Sequence, residues 1–173
     1  MKAATAAVTV TRGGSDGVRG GVALQQAIRV ETTIDIGRAA GDVFGYVTTP
    51  ALWHTWHPAT VSVQDVPSRP LTTGETMREL ITVAGRRNEA AWTVVACDAP
   101  LRWEIATDTA SGSAHIVYRI VANDRGCRFH RTLDYRSKGR FWRLLDGNLT
   151  RWILTRQSAR ALRNLRAVME GKW

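Results

Sequence analysis

Between residues 28 and 36 the apolar side chains Val30, Ile34 and Ile36 alternate with polar ones, the period of two expected of a half-buried strand. Ala39, Val43, Phe44 and Val47 then repeat at helical spacing. Thr49-Pro50 breaks that helix and restarts the chain as a second short one, because proline suits a first helical turn, and Pro58 ends it. Six further strand-like runs follow at residues 60–65, 75–83, 88–97, 101–107, 114–122 and 127–136. They are separated by Pro67, Pro70 and Gly74, by Gly85, by Asp98 to Pro100, by Ser111-Gly112 and by Asn123 to Gly126. Gaps this short join neighbouring antiparallel strands, so a meander of hairpins is predicted. From Arg140 to about Glu170 the period becomes helical. One strand, two short helices, several hairpin strands and a long terminal helix make an α+β layout. Residues 1–26, rich in Ala, Gly, Thr and Ser, lack sustained periodicity and are expected to be a flexible tail; residues 27–173 are expected to form a single domain.

Strand parity assigns an inner face. Trp92, Val94 and Ala96 share one side of their strand, Leu101, Trp103 and Ile105 of the next, and Ile116, Tyr118 and Ile120 of a third. A curved sheet with bulky side chains on its concave side, closed by one helix, is expected to leave a mainly apolar pocket with a few polar anchors. The alternative for any one tryptophan is plain core packing. Two charged residues break the apolar parity: Glu79 between Met77 and Ile81, and Arg131 between Phe129 and Leu133. A charge buried in this way must be paired or bound to ligand. They are therefore expected to pair with each other or to hold a polar group of a ligand, unless they sit at an open strand end in water. Tyr118 and Tyr135 share the inward parity and can donate to a ligand oxygen, whereas His115 and His130 have the outward one.

The segment ETTIDIGRAAGDVFGYVTTPALWHTWHP resembles the opening of the START-like polyketide cyclase/dehydrase superfamily, also called SRPBCC. Its acid-valine-aromatic helix reads here as Asp42-Val43-Phe44, its threonine-aspartate-proline step as Thr48-Thr49-Pro50, and its leucine leading to a tryptophan as Leu52 and Trp56. Trp92 to Val95, with Cys97-Asp98-Ala99-Pro100 and Leu101, resembles the family's fourth strand and the turn after it, and residues 124–129 its glycine-marked hairpin. The likeness covers about residues 28–170. It implies a helix-grip fold, a curved antiparallel sheet of six to seven strands wrapped around the terminal helix, with a cavity for a small hydrophobic ligand. Chains of this kind include carriers, receptors, aromatase/cyclases and chaperone co-regulators, so fold does not settle activity. The ligand-binding candidates are Trp56, Met77, Glu79, Trp92, Trp103, Tyr118, Phe129, Arg131 and Tyr135; for any catalysis the candidates are Glu79, Arg131 and Tyr118.

Chemistry-bearing motifs are few. No nucleophile-base-acid signature, phosphate-cradling glycine loop or zinc pattern appears, and no cofactor is implied. His54 and His57 lie three apart in WHTWHP but lack a third ligand nearby, so no metal is expected, and the helix is read as lying over the cavity mouth with its polar residues outward. Cys97 and Cys127 are too few for a disulfide framework and are read as reduced packing residues. No apolar run is long enough to span a bilayer and the N-terminus makes a poor signal peptide, which leaves the cytoplasm as the expected location.

The net charge of +9 concentrates at the end of the chain, where residues 139–173 hold eight basic residues against Asp146 and Glu170. Two apolar stripes run along the terminal helix. Leu154, Ala161, Leu162, Leu165, Val168 and Met169 form one, with Arg156, Arg160, Arg163 and Arg166 on the other side, an amphipathic pattern whose arginine face is most simply solvated. Trp142, Leu145, Leu149, Trp152 and Ile153 form a second stripe nearly opposite. It predicts either a kink near Gly147-Asn148 or an additional contact surface for a lid, a homodimer partner or a membrane. Three readings follow: a carrier or sensor for a small hydrophobic molecule, a polyketide cyclase/dehydrase-like enzyme using the same cavity, and an interaction protein docking RNA, a membrane or a protein partner through the basic helix. The first leads, and nucleic acid is not the expected partner.

Overall fold

The computed structural model describes residues 7–9, 27–83, 85–109, 112–138 and 147–172. Strands β1 (Ala7–Thr9) and β2 (Ala27–Ile36) precede helix α1 (Ala40–Val47) and a 3₁₀ turn (Pro50–Thr55). Then come β3 (Thr60–Gln64), β4 (Thr76–Val83), β5 (Arg86–Asp98), β6 (Arg102–Asp108), β7 (Gly112–Asn123), β8 (Gly126–Ser137) and helix α2 (Gly147–Met169). The strands form one antiparallel sheet in the order β1-β2-β8-β7-β6-β5-β4-β3. The meander from β3 to β8 follows from the short turns, while β2 pairs with β8 over its whole length. The helical crossover between β2 and β3 therefore spans the sheet from near one edge to the other. Within the stretch expected to be a tail, Ala7–Thr9 adds a short strand against Glu31 to Thr33.

The alternation in β2 carries through. Ile28, Val30, Thr32, Ile34 and Ile36 are buried, and the residues between them are more exposed. The core fills the concave side with Val43, Phe44 and Val47 of α1, Trp53 and Trp56, and Leu154, Ala161, Leu162 and Leu165 of α2. Each fully buried leucine on α2 is worth roughly 1.5–3 kcal/mol of transfer free energy. The far half of α2 is tied to the β2–α1 turn and to the end of the 3₁₀ turn. Gly37 N donates to Glu170 Oε1 at 3.0 Å, Arg38 Nε to the Met169 carbonyl at 2.7 Å, and Asn164 Nδ2 to the Trp56 carbonyl at 3.2 Å.

Two parity expectations are corrected. A bulge between Val94 and Ala96 inserts an extra residue in β5, so Ala96 faces Glu104, and Cys97 takes the position opposite Trp103. Leu101 lies in the turn before β6 and is 52% exposed, not inward. Cys97 and Cys127 are free thiols, Cys127 fully buried. On α2 the described helix runs unbroken from Gly147, with Leu149 and Trp152 exposed on the side away from the core. Trp142 and Leu145, the first members of the second stripe, lie outside the described residues.

Candidate functional site

Sheet, 3₁₀ turn and α2 border a cavity of about 130 Å³, room for roughly four water molecules. It lies toward the β4–β5 and β6–β7 hairpins. Apolar walls come from Trp53, Ala59, Ile81, Ala90, Trp92, Ile116, Leu133 and Leu154. The polar groups reaching it include His57, Glu79, Asn88, Tyr118, Arg131, Tyr135, Thr150, Gln157 and Ser158. Behind it stands a continuous aromatic stack. Trp103 stacks on Tyr118 at 5.5 Å, Phe129 meets Tyr118 edge-on at 5.1 Å, and Trp56 approaches it at 6.4 Å.

Arg131 is the most costly group in this wall. It faces Tyr118 across the β7–β8 ladder and Thr32 across β2–β8, and only 3% of it is exposed. Its Nη1 donates to Ser158 Oγ at 2.9 Å, and its Nε is buried without a partner. Among the described residues it joins no ion pair. Tyr118 shares a further side-chain hydrogen bond with it. A guanidinium remains charged when buried, and two neutral hydroxyl partners leave that charge without a counter-ion.

Glu79, equally buried, is held differently. Thr60 Oγ1 donates to its Oε1 at 2.5 Å and Trp92 Nε1 to its Oε2 at 2.8 Å, while His57 Nδ1 lies 3.0 Å from the same Thr60 hydroxyl. Burial pushes the Glu79 carboxyl up, against the pull of Thr60, Trp92 and the Arg131 charge. Burial, assisted by Arg131, lowers His57 to about 3, so its ring is neutral. Tyr118 is also raised by burial, with Arg131 opposing. The three side chains form one hydrogen-bonded chain. With Glu79 ionised, Thr60 donates to it and accepts from the His57 Nδ1–H, leaving Nε2 an acceptor. A protonated Glu79 can reverse both bonds and make Nε2–H a donor. Glu79 and Arg131 thus share a cavity and a field without a direct ion pair.

Residues 27–170 match the family model described as "Polyketide cyclase / dehydrase and lipid transport". The chain belongs to this polyketide cyclase/dehydrase and lipid transport family. A START superfamily protein from Mycobacterium smegmatis superposes with a TM-score of 0.69 at 13% identity, over 83% of this chain and 97% of that one. Ara h 8.0201 superposes with a TM-score of 0.61 at 11% identity, over 84% and 99%. The di-domain ARO/CYC BexL of the BE-7585A biosynthetic pathway superposes with a TM-score of 0.65 at 18% identity, over 83% of this chain and 50% of that one. No curated protein matches in sequence. Identities this low establish the helix-grip fold alone. Family and fold together are those of a hydrophobic ligand-binding or polyketide cyclase-like protein.

Of the positions singled out from sequence in this family member, Glu79, Trp92, Tyr118, Arg131 and Tyr135 line the cavity. Trp56, Met77, Trp103 and Phe129 do not. Each is 2% exposed or less and packs one layer behind the wall, where α1 and the 3₁₀ turn fill the concave end of the sheet. The expectation of outward polar residues in WHTWHP holds for exposed His54 but fails for His57, which points into the cavity. Trp53, Ser158, Leu154 and Gln157 also belong to the wall and were not singled out as ligand contacts. His115 and His130 lie on the outer face, bound to Glu104 and Thr33. Among the described residues no cluster of three potential metal ligands occurs, and no helix is long and apolar enough to cross a membrane.

Proposed function

We propose that this cavity binds a small, mainly apolar molecule bearing an anionic or strongly accepting oxygen, and that the protein acts as its carrier or sensor. The observation that carries the reading is Arg131, a buried guanidinium outside any ion pair among the described residues, in an otherwise largely apolar wall. A ligand carboxylate, phenolate or polarised carbonyl in the cavity beside it would supply the missing counter-charge. Tyr118 stands beside it across the ladder, and apolar walls take the rest of the molecule, the usual division of labour in small-molecule pockets.

The test begins with native mass spectrometry of freshly purified protein against a denatured control, followed by calorimetric titration with decanoate, decanol and decylamine. Decanoate is expected to bind most tightly, and Arg131→Met to erase its advantage over decanol. Equal affinity for all three, unchanged by the substitution, overturns the reading.

A catalytic role is the second reading, supported by the hydrogen-bonded Glu79–Thr60–His57 chain, which would act as a proton relay at the cavity that Arg131 also lines. In it Arg131 holds a carbonyl oxygen as negative charge develops, and the relay exchanges a proton with the adjacent carbon or with leaving water. Turnover of a poly-keto substrate that Glu79→Gln abolishes while binding persists separates enzyme from carrier.

A further inference from the structure

Helix α2 contains five arginines and no acidic residue over its 23 positions. At 100° per residue, Leu149, Trp152, Arg156, Arg160 and Arg163 fall on one stripe, opposite the buried seam of Leu154, Leu162 and Leu165. Leu149 is 44% and Trp152 54% exposed, and the three arginines are exposed beside them. The Arg156 guanidinium lies over the Trp152 ring, 4.8 Å from its centroid. Among the described residues none of these three arginines joins an ion pair, whereas Arg166, at the edge of the stripe, is held by Glu170. Like charges three and four apart weaken a helix, and a merely solvated face would be expected to mix both signs. The stripe is organised for a partner that is negative and has an apolar layer beneath its charges.

We propose that this outer face of α2 docks on an anionic phospholipid bilayer, with Trp152 and Leu149 entering the headgroup–acyl boundary and Arg156, Arg160 and Arg163 meeting lipid phosphates. The combination decides for lipid over nucleic acid. A polyanion without an apolar layer explains the arginines but leaves an exposed leucine unaccounted for, whereas an interfacial helix uses basic and Trp/Leu side chains together. Arginine also matches phosphate oxygens in a bidentate manner. The inner face of the same helix supplies Leu154, Gln157 and Ser158 to the cavity, so docking lays the helix that walls the cavity on the membrane surface.

Vesicle co-sedimentation of the full chain tests this with phosphatidylcholine alone and with equimolar phosphatidylglycerol, at low and physiological ionic strength. Binding is expected only to the anionic vesicles and to weaken with salt. At roughly fivefold per arginine near an anionic surface, the Arg156→Glu, Arg160→Glu, Arg163→Glu triple variant is expected to bind at least about a hundredfold more weakly. Trp152→Ser with Leu149→Ser should weaken binding without removing its salt dependence. Circular dichroism and an unchanged thermal midpoint show that each variant is folded. Equal binding to neutral vesicles, no effect of the triple substitution, or binding to a single-stranded RNA but to neither vesicle overturns the proposal. Because none of these readouts needs a cavity ligand, failure here leaves the cavity reading standing, and the reverse also holds.

Discussion

Arg131 and Glu79 occupy similar depths but answer burial in opposite ways. A guanidinium cannot shed its proton, whereas a carboxyl can gain one. Arg131→Met is therefore expected to leave the ligand-free protein as stable as before or more so, because a charge without an ion-pair partner is replaced by a similarly shaped apolar chain. An unfolding free energy, measured by chemical denaturation, lowered by more than about 1 kcal/mol would show instead that Ser158 and Tyr118 satisfy the charge fully. Glu79 and His57 give a pH signature of opposite signs. With its folded value raised above the ordinary 4.5, Glu79 holds a proton that the unfolded chain has released, so its contribution to stability falls as pH rises from 4.5. His57, lowered from 6.5 to about 3, stays neutral where the unfolded chain is charged, so its contribution rises with pH across that span. Urea unfolding between pH 4.5 and 6.5 should show stability rising more steeply with pH in Glu79→Gln than in the unsubstituted protein, and less steeply or falling in His57→Asn. Three parallel curves would contradict both assignments. Glu79 and Arg131 were legible in sequence because a charge on an apolar parity stands out. His57 was not, because its direction depends on where a 3₁₀ turn stops. Trp53 and Trp56, three apart, both point inward, while the chain leaves that geometry at Trp56 and swings His57 toward Thr60.

Elements were easier to read than their irregularities. Alternation and turn residues locate every strand from Ala27 onward to within a few residues, since burying one face of a sheet imposes a period of two. A bulge leaves no such mark. Val95 could be seen as an extra residue only after Val94 was found opposite Ile105 and Ala96 opposite Glu104. The turn before β8 is different, because its demand is written in one residue. Gly126 has φ +135, and a Cβ there would lie 2.3 Å from the Ile36 carbonyl oxygen and 2.6 Å from Arg38 N. Gly126→Ala is expected to cost well over about 1 kcal/mol, combining an unfavourable backbone conformation with a backbone clash; a thermal midpoint unchanged from the parent would refute that account. At the other end of the same junction, burial alone would raise the Glu170 carboxyl, but Lys172, the Gly37 N–H and Arg166 outweigh it and hold it at about 2. Its stabilisation is complete above the ordinary value of 4.5 and lost as pH falls toward 2. Glu170→Gln should therefore be less stable at neutral pH, with the difference from the parent closing on acidification; a constant gap would assign the latch to packing instead of charge.

At the scale of the whole molecule, core and cavity compete for the same concave surface. The aromatic stack of Trp56, Trp103, Tyr118 and Phe129 closes one end so fully that candidate ligand contacts became core, and what remains open is the end where Arg131, Glu79 and the first turns of α2 meet. Sequence parity names the residues that face inward but not how deep the filling goes, because that depends on the volumes of side chains from three separated segments. The open remainder makes ligand and stability inseparable. A molecule that binds only the folded chain stabilises it by about 2.7 kcal/mol at a hundred times its dissociation constant, and for a domain of this size each kcal/mol raises the melting temperature by roughly 2–4 °C. Saturating decanoate is therefore expected to raise the melting temperature of the parent by about 5–10 °C. In Arg131→Met the rise should shrink to that given by decanol, from a starting temperature equal to or above the parent's. An equal rise in both proteins would mean that the walls alone hold the ligand and that the buried guanidinium faces the cavity for another reason.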